Sequence, residues 1–203
     1  MLENNELRRK ARKQLQGNWG KPILACFLTF VILAIIAAIP VAGHLAQLLV
    51  AGPFMIGLIM YFLRFQRGQA TTVEVIFEGF TNYIETLGIY WWVGSWVMLW
   101  SLLLVIPGII KSLSYSMAYY LVADNPTVGI RNALNTSKKI TYGYKVKIFL
   151  LNLSFIGWGI LSVLSLGIGF LWLIPYMQLT SVNLYLELKD ASIANGICTS
   201  QEF

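Results

Sequence analysis

The sequence predicts an all-α, polytopic membrane protein with six transmembrane helices in three hairpins and amphipathic helices on the cytoplasmic surface. Three observations lead there. First, 57% of the 203 residues are hydrophobic and only 12% are charged, with a mean hydropathy of +0.67. Soluble domains carry about 25% charged residues, and a soluble chain with so little charge could not cover its own surface. Second, the apolar residues fall in runs close to the ~20 residues that about 30 Å of hydrocarbon demands of a helix. Third, the basic residues, which set a net charge of +6, flank these runs. That pattern implies a bilayer with anionic lipids as the partner of a basic cytoplasmic face, and not nucleic acid.

Residues 1–21 form a basic arm. Leu7, Ala11 and Leu15 share a helical face opposite Arg8, Arg9, Arg12 and Lys13; Gly17 ends that helix, and Trp19 belongs at the interface. The membrane domain, 22–189, begins with a long apolar run followed almost at once by another, which marks a retained span and not a cleaved signal. The expected spans are 22–39, 45–63, 87–106, 109–123, 146–164 and 170–186.

The third and fourth need an argument, because residues 87–123 are apolar almost throughout. An unbroken helix of these 37 residues would be about 55 Å long, far more than a bilayer core. Pro107 removes a backbone donor and Gly108 tolerates turn dihedrals, so the reversal is expected there. Charge placement supports it. With six spans and a cytoplasmic N-terminus, every lysine and arginine except Lys111 lies inside; with five, Arg131, Lys138, Lys139, Lys145, Lys147 and Lys189 move outside, against the positive-inside rule.

The inner connections read as surface helices. Thr71-x-x-Glu74 has the form of a capping box, followed by an apolar face of Val73, Ile76, Phe77, Phe80 and Ile84. Asn125 can cap and Pro126 suits a first helical position; Ile130, Ala133, Leu134 and Ser137 make the next face, ended by Gly143. Residues 190–203 read as a flexible cytoplasmic tail.

Chemistry-bearing motifs are sparse. Cys26, Cys198 and His44 have no metal-ligand spacing, and the sequence holds no phosphate loop, nucleophile elbow or His-Glu-x-x-His. No catalytic residue, metal ligand or cofactor is therefore expected. The ligand-facing candidates lie on the fourth span: Lys111, Ser112, Tyr115, Ser116 and Tyr119, the last four on one helical face. Against that stands the plainer role of such groups: Lys111 snorkels to headgroups, and the hydroxyls bond back to their own helix or across to a neighbour. Asp124 reads as a stop beside a cap. Pro53 and Pro175 mark kinks inside spans, and the tryptophans at 91, 92, 96 and 100 read as lipid-facing.

Several short runs carry a resemblance: Gly17-Asn18-Trp19, Glu78-Gly79-Phe80, Pro107-Gly108-Ile109-Ile110-Lys111, Ser114-Tyr115-Ser116-Met117, Asp124-Asn125-Pro126, Ser154 through Trp158, Gly167-Ile168-Gly169 and Pro175-Tyr176. In their order along the chain they resemble the bacterial integral membrane family known as domain of unknown function 975. The resemblance implies a multi-pass protein of the bacterial cell membrane and supplies no catalytic residues. The expected function is a non-catalytic partner- or lipid-binding accessory or scaffold protein, its partner a membrane protein or a second copy of itself. The alternative is a small channel or carrier for a neutral or amphiphilic solute.

Overall fold

A computed structural model describes residues 3–199 and 202–203, and they are helical without any β-strand. Helix α1 (Asn4–Leu15) opens on a reciprocal cap in which Glu6 accepts from the Glu3 amide at 3.0 Å. Its Leu7, Ala11 and Leu15 are fully buried, as the sequence predicts. Their cover is protein, however: α1 packs mainly on the last helix, α9 (Phe170–Ala194), with Asn183 donating to Gln14 at 2.9 Å and Arg12 over the Tyr176 ring.

Helices α2 (Gly20–Ala37) and α3 (Ala42–Gln66) follow. The second half of α3 is the centre of the molecule. Residues 56–63 are all buried there, surrounded by α2, α9, α6 (Ala118–Asp124) and a 3-10 helix, Val73–Phe80. Pro53 lies inside α3, where it cannot donate to the Leu49 carbonyl one turn back. The Tyr83 hydroxyl donates to that oxygen instead, at 3.3 Å, and the Trp91 indole donates to the neighbouring Leu48 carbonyl at 3.2 Å. Outside groups thus satisfy the kink, as a proline in an apolar helix requires. Pro175 also lies within its helix, and α9 continues through it.

The segment after α3 differs from expectation. Val73–Phe80 is a 3-10 helix, Thr72 is the N-cap, and no side chain caps it, so the Thr71–Glu74 box does not form. The three-residue repeat changes the face that is covered. Val75, Ile76 and Gly79 are buried, whereas Phe77 is exposed and Ile84, already in the next helix, is 84% exposed.

Helix α4 (Tyr83–Leu103) turns back into α5 (Val105–Tyr115) at Leu104, the one extended residue between them. The reversal lies three residues before Pro107. Pro107 occupies the first turn of α5, where a missing donor is harmless. Gly108 is not a turn residue but the contact point: a Cβ there would stand 2.3 Å from Ser101 Oγ. The same device closes the other two reversals. A Cβ at Gly43 would meet the Ile36 carbonyl at 2.0 Å, and one at Gly169 would meet Ser162 Oγ at 2.7 Å. In all three the glycine follows its contact residue by the same seven positions.

The expected fourth span, 109–123, is divided by a turn at Ser116 and Met117 into α5 and α6. Asn125 then caps as expected, its Oδ1 accepting from the Thr127 amide at 3.1 Å, and Pro126 opens a single 3-10 turn. Helix α7 (Ile130–Thr141) buries Ala133, Leu134 and Ser137. It is followed by α8 (Lys145–Leu164) and then α9, which runs past the expected end at 186. Beyond it Cys198 and Phe203 are buried and Glu202 pairs with Lys139 of α7 at 2.6 Å, so these three residues of the segment read as a flexible tail pack back on the protein.

Among the described residues four helices, α2, α3, α4 and α8, are long and apolar enough to cross a membrane. At 11 and 7 residues α5 and α6 are individually too short, and the apolar run of α9 is interrupted by Gln178, Thr180, Ser181 and Asn183. The apolar surface is large: Phe30, Met98, Leu102, Val146, Leu164 and Leu166 are among the side chains facing outward, Leu166 at 93%.

Candidate functional site

The candidate residues of the sequence reading all lie on α5 or just after it, and the structure divides them between two hollows beside that helix. Ser112, Ser116 and Tyr119 line a cavity of about 590 Å³ among α3, α4, α5, α8 and α9, together with Met55, Val97 and Ser181. The two serine hydroxyls donate to their own helix, Ser112 to the Ile109 carbonyl and Ser116 to the Leu113 carbonyl, both at 2.8 Å. Their lone pairs remain to accept from whatever enters. The cavity is thus apolar with a few hydroxyl acceptors, suited to a neutral or amphiphilic molecule.

Lys111 and Tyr115 belong to the second hollow. They border a cleft of about 470 Å³ with Trp92, Trp96 and Trp100 of α4 and Arg131, Leu134, Asn135 and Lys138 of α7. Helix α7 is held there by the buried Ser137 hydroxyl, which donates to the Ser114 carbonyl at 2.8 Å, and by Ile130, which fills the space beside Gly88. The lysine amines sit over aromatic faces, Lys111 at 5.0 Å from the Trp100 ring and Lys138 at 5.4 Å from the Tyr115 ring.

This grouping departs from the charge-based threading, which left Lys111 alone on the outer side. Lys111 and Tyr115 are one helical turn apart, about 6 Å along the axis, and Lys138 lies 5.4 Å from the Tyr115 ring. The two lysines are therefore far closer than the ~30 Å of a hydrocarbon core. Sequence reasoning named Lys111 and Tyr115 and missed Arg131, Asn135 and Lys138. The signal available was spacing: 92, 96 and 100, then 131, 135 and 138, each place one face of a helix.

A third polar centre closes the basic end of α3, α6 and α9. The Asp124 side chain is 5% exposed and accepts from Arg67 at 2.5 Å, Lys189 at 2.7 Å and the Tyr185 hydroxyl at 3.0 Å. Burial pushes its carboxyl up, but the hydrogen bonds from Lys189 and Arg67, with their charges, outweigh burial and hold it below the ordinary value. Asp124 is thus more than the helix stop it was expected to be. It joins three elements, and its fixed ionised state and full set of donors suit a structural tie. Nearby, Arg64 meets Glu78 through both guanidinium nitrogens, fastening the 3-10 helix to α3.

Among the described residues no group of three or more His, Cys, Asp or Glu is placed to hold a metal ion. Searches of curated proteins and of solved structures returned no match. The model of the family described as "Protein of unknown function (DUF975)" matches residues 1–107 and 89–192, and with nearly the whole chain covered, the protein belongs to that family.

Proposed function

We propose that the protein is a multi-pass integral membrane protein of the bacterial cell membrane that binds lipid or a membrane partner as an accessory or scaffold, without catalysis of its own. The observation that carries this reading is the outward apolar surface of α2, α4 and α8 beside a shell of basic groups. Phe30, Met98, Leu102, Val146 and Leu164 all face outward, more apolar surface than a water-soluble monomer sustains. Lipid tails cover it without cost, and the flanking cations meet anionic headgroups. In this reading the six apolar segments enter the bilayer as three hairpins, both termini are cytoplasmic, and Lys111 shares the cytoplasmic face with Arg131 and Lys138.

Cysteine labelling tests the threading. In a variant lacking Cys26 and Cys198, a cysteine replacing Lys111 and one replacing Lys138 are expected to react with a membrane-impermeant thiol reagent from the cytoplasmic side only. Labelling of position 111 from outside would overturn the shared face. Native mass spectrometry of gently extracted protein is expected to show bound lipid or a protein partner.

The cavity beside Ser112, Ser116 and Tyr119 favours a second reading, a small channel or carrier for a neutral or amphiphilic solute. Flux in reconstituted liposomes that is lost on Tyr119→Ala would favour it over the accessory role.

A further inference from the structure

We propose that the cleft between α4, α5 and α7 is a specific site for the anionic headgroup of a phospholipid, with Lys111, Arg131 and Lys138 as its cationic wall. The inference rests on the membrane reading above and adds to it a location and a ligand chemistry.

Three helices each present one face to the cleft. Lys111 and Tyr115 come from α5, Arg131, Asn135 and Lys138 from α7, and Trp92, Trp96 and Trp100 from α4. No carboxylate borders it. Among the described residues none of the three cations has an ion-pair partner within 4.0 Å, and Glu202, which lies beside α7, pairs with Lys139 at 2.6 Å. At the ends of α3 and α9 the pattern is different: Arg64 pairs with Glu78, and Arg67 and Lys189 share Asp124. Three like charges held together without a counter-ion repel one another, so an anion placed among them relieves that repulsion as well as gaining its own attraction. The arginine adds a planar fork that matches two phosphate oxygens, and Asn135 adds an amide donor.

The tryptophan stripe decides the kind of anion. Trp92 and Trp96 are partly exposed, 45% and 39%, and run on toward the outward apolar end of α4 at Met98 and Leu102. A free phosphate would use the cations and leave this stripe idle. A phospholipid uses both, its phosphate at the cations and its glycerol and upper acyl chain along the indoles, which favour that depth of a bilayer. The hollow under Arg12, lined by Trp19, Trp158 and Trp172, is the nearest rival, but it holds one cation where the cleft holds three.

The test is native mass spectrometry of detergent-solubilised full-length protein titrated with phosphatidylglycerol or phosphatidylcholine. The wild type is expected to bind phosphatidylglycerol about tenfold or more tightly. The Arg131→Gln/Lys138→Gln double variant should lose that preference, Lys138→Arg should keep it, and Lys10→Gln, on the basic arm, should leave it unchanged. Equal melting temperatures in phosphatidylcholine would show that the double variant is folded; if it is not, Lys111→Gln with the same readout takes its place. Wild-type preference that survives both charge removals would overturn the site and leave the lipid-binding reading standing. An absence of any lipid adduct on the wild type would overturn both. Displacement of phosphatidylglycerol by millimolar inorganic phosphate would assign the cleft to a soluble anion and overturn the lipid.

Discussion

Replacing Gly79 with alanine should lower the stability of the protein by about 3 kcal/mol, the upper part of the usual range for overpacking. The added carbon would stand 1.9 Å from the Pro53 carbonyl oxygen and 2.9 Å from the Gly57 amide nitrogen. Both are backbone atoms, and no rotamer change can relieve them. Gly57→Ala meets the same seam from the other side, its Cβ falling 2.0 Å from the Ile76 carbonyl oxygen. The 3-10 helix must then lift off α3, uncovering Ile76 and loosening the Arg64–Glu78 pair. Because both substitutions push apart one interface, the double variant should cost less than the two added together. Gly157→Ala and Gly159→Ala are the controls. Both positions lie within α8 with nothing near the new carbon, so helix propensity should make them neutral or stabilising by up to about 1 kcal/mol. Melting temperatures in one detergent decide the matter: equal shifts for Gly79→Ala and Gly157→Ala would show that the seam is not as tight as described.

The seam also shows what the sequence could and could not convey. Hydropathy is enough for an all-helical fold with helices long and apolar enough to cross a membrane, and period alone finds the buried face of α1 and most of that of α7, because those signals are local. The residues from Val73 to Phe80 carry an equally clear α-helical pattern, yet they form a 3-10 helix. What decides there is the backbone approach of Gly79 to Pro53 and Gly57 to Ile76, a contact between segments that no single-segment pattern encodes. Pro107-Gly108 was misread for a similar reason. Either residue suits a turn, but one fits a first helical turn and the other a helix crossing, and only the partner Ser101 tells which. The candidate site was half legible. Ser112, Ser116 and Tyr119 do share one hollow, whereas Tyr115, expected on the same face, borders the other. Ser112 and Tyr115 both lie within α5, where a step of three residues turns the side chain by about 60°, and that turn carries Tyr115 to the side of α7. The cationic cleft needed α7 to be placed beside α4, and nothing in the spacing of residues 131–138 says which helix they will meet.

Asp124→Leu should be about as damaging as the glycine substitutions, and its pH dependence should identify the cause. Removing the carboxylate leaves Arg67 and Lys189 facing each other with their shared partner gone. Breaking a buried pair costs about 3–5 kcal/mol, but the Arg67 and Lys189 side chains are 38% and 21% exposed, so water will screen part of this and about 2–3 kcal/mol is expected. The folded-state carboxyl lies below its ordinary value, so the stabilisation from ionised Asp124 is complete at neutral pH and is lost only as pH falls through that lowered value. The difference between wild type and Asp124→Asn should therefore be constant from about pH 6 to 8 and shrink below about pH 4, near the unfolded carboxylate value. If the difference instead shrank on the alkaline side, the carboxylate would not be its source. A charge-balanced variant separates lost attraction from stranded charge. Asp124→Leu with Arg67→Met and Lys189→Met should recover much of the stability, because apolar groups of similar size can replace a buried ionic cluster. Recovery without native packing of Tyr185, which donates to Asp124 and stacks on Tyr120 with ring centroids 5.7 Å apart, would show up as lost protection of α6 in hydrogen exchange. The tie would then set how α6 lies between α3 and α9, and not only how firmly.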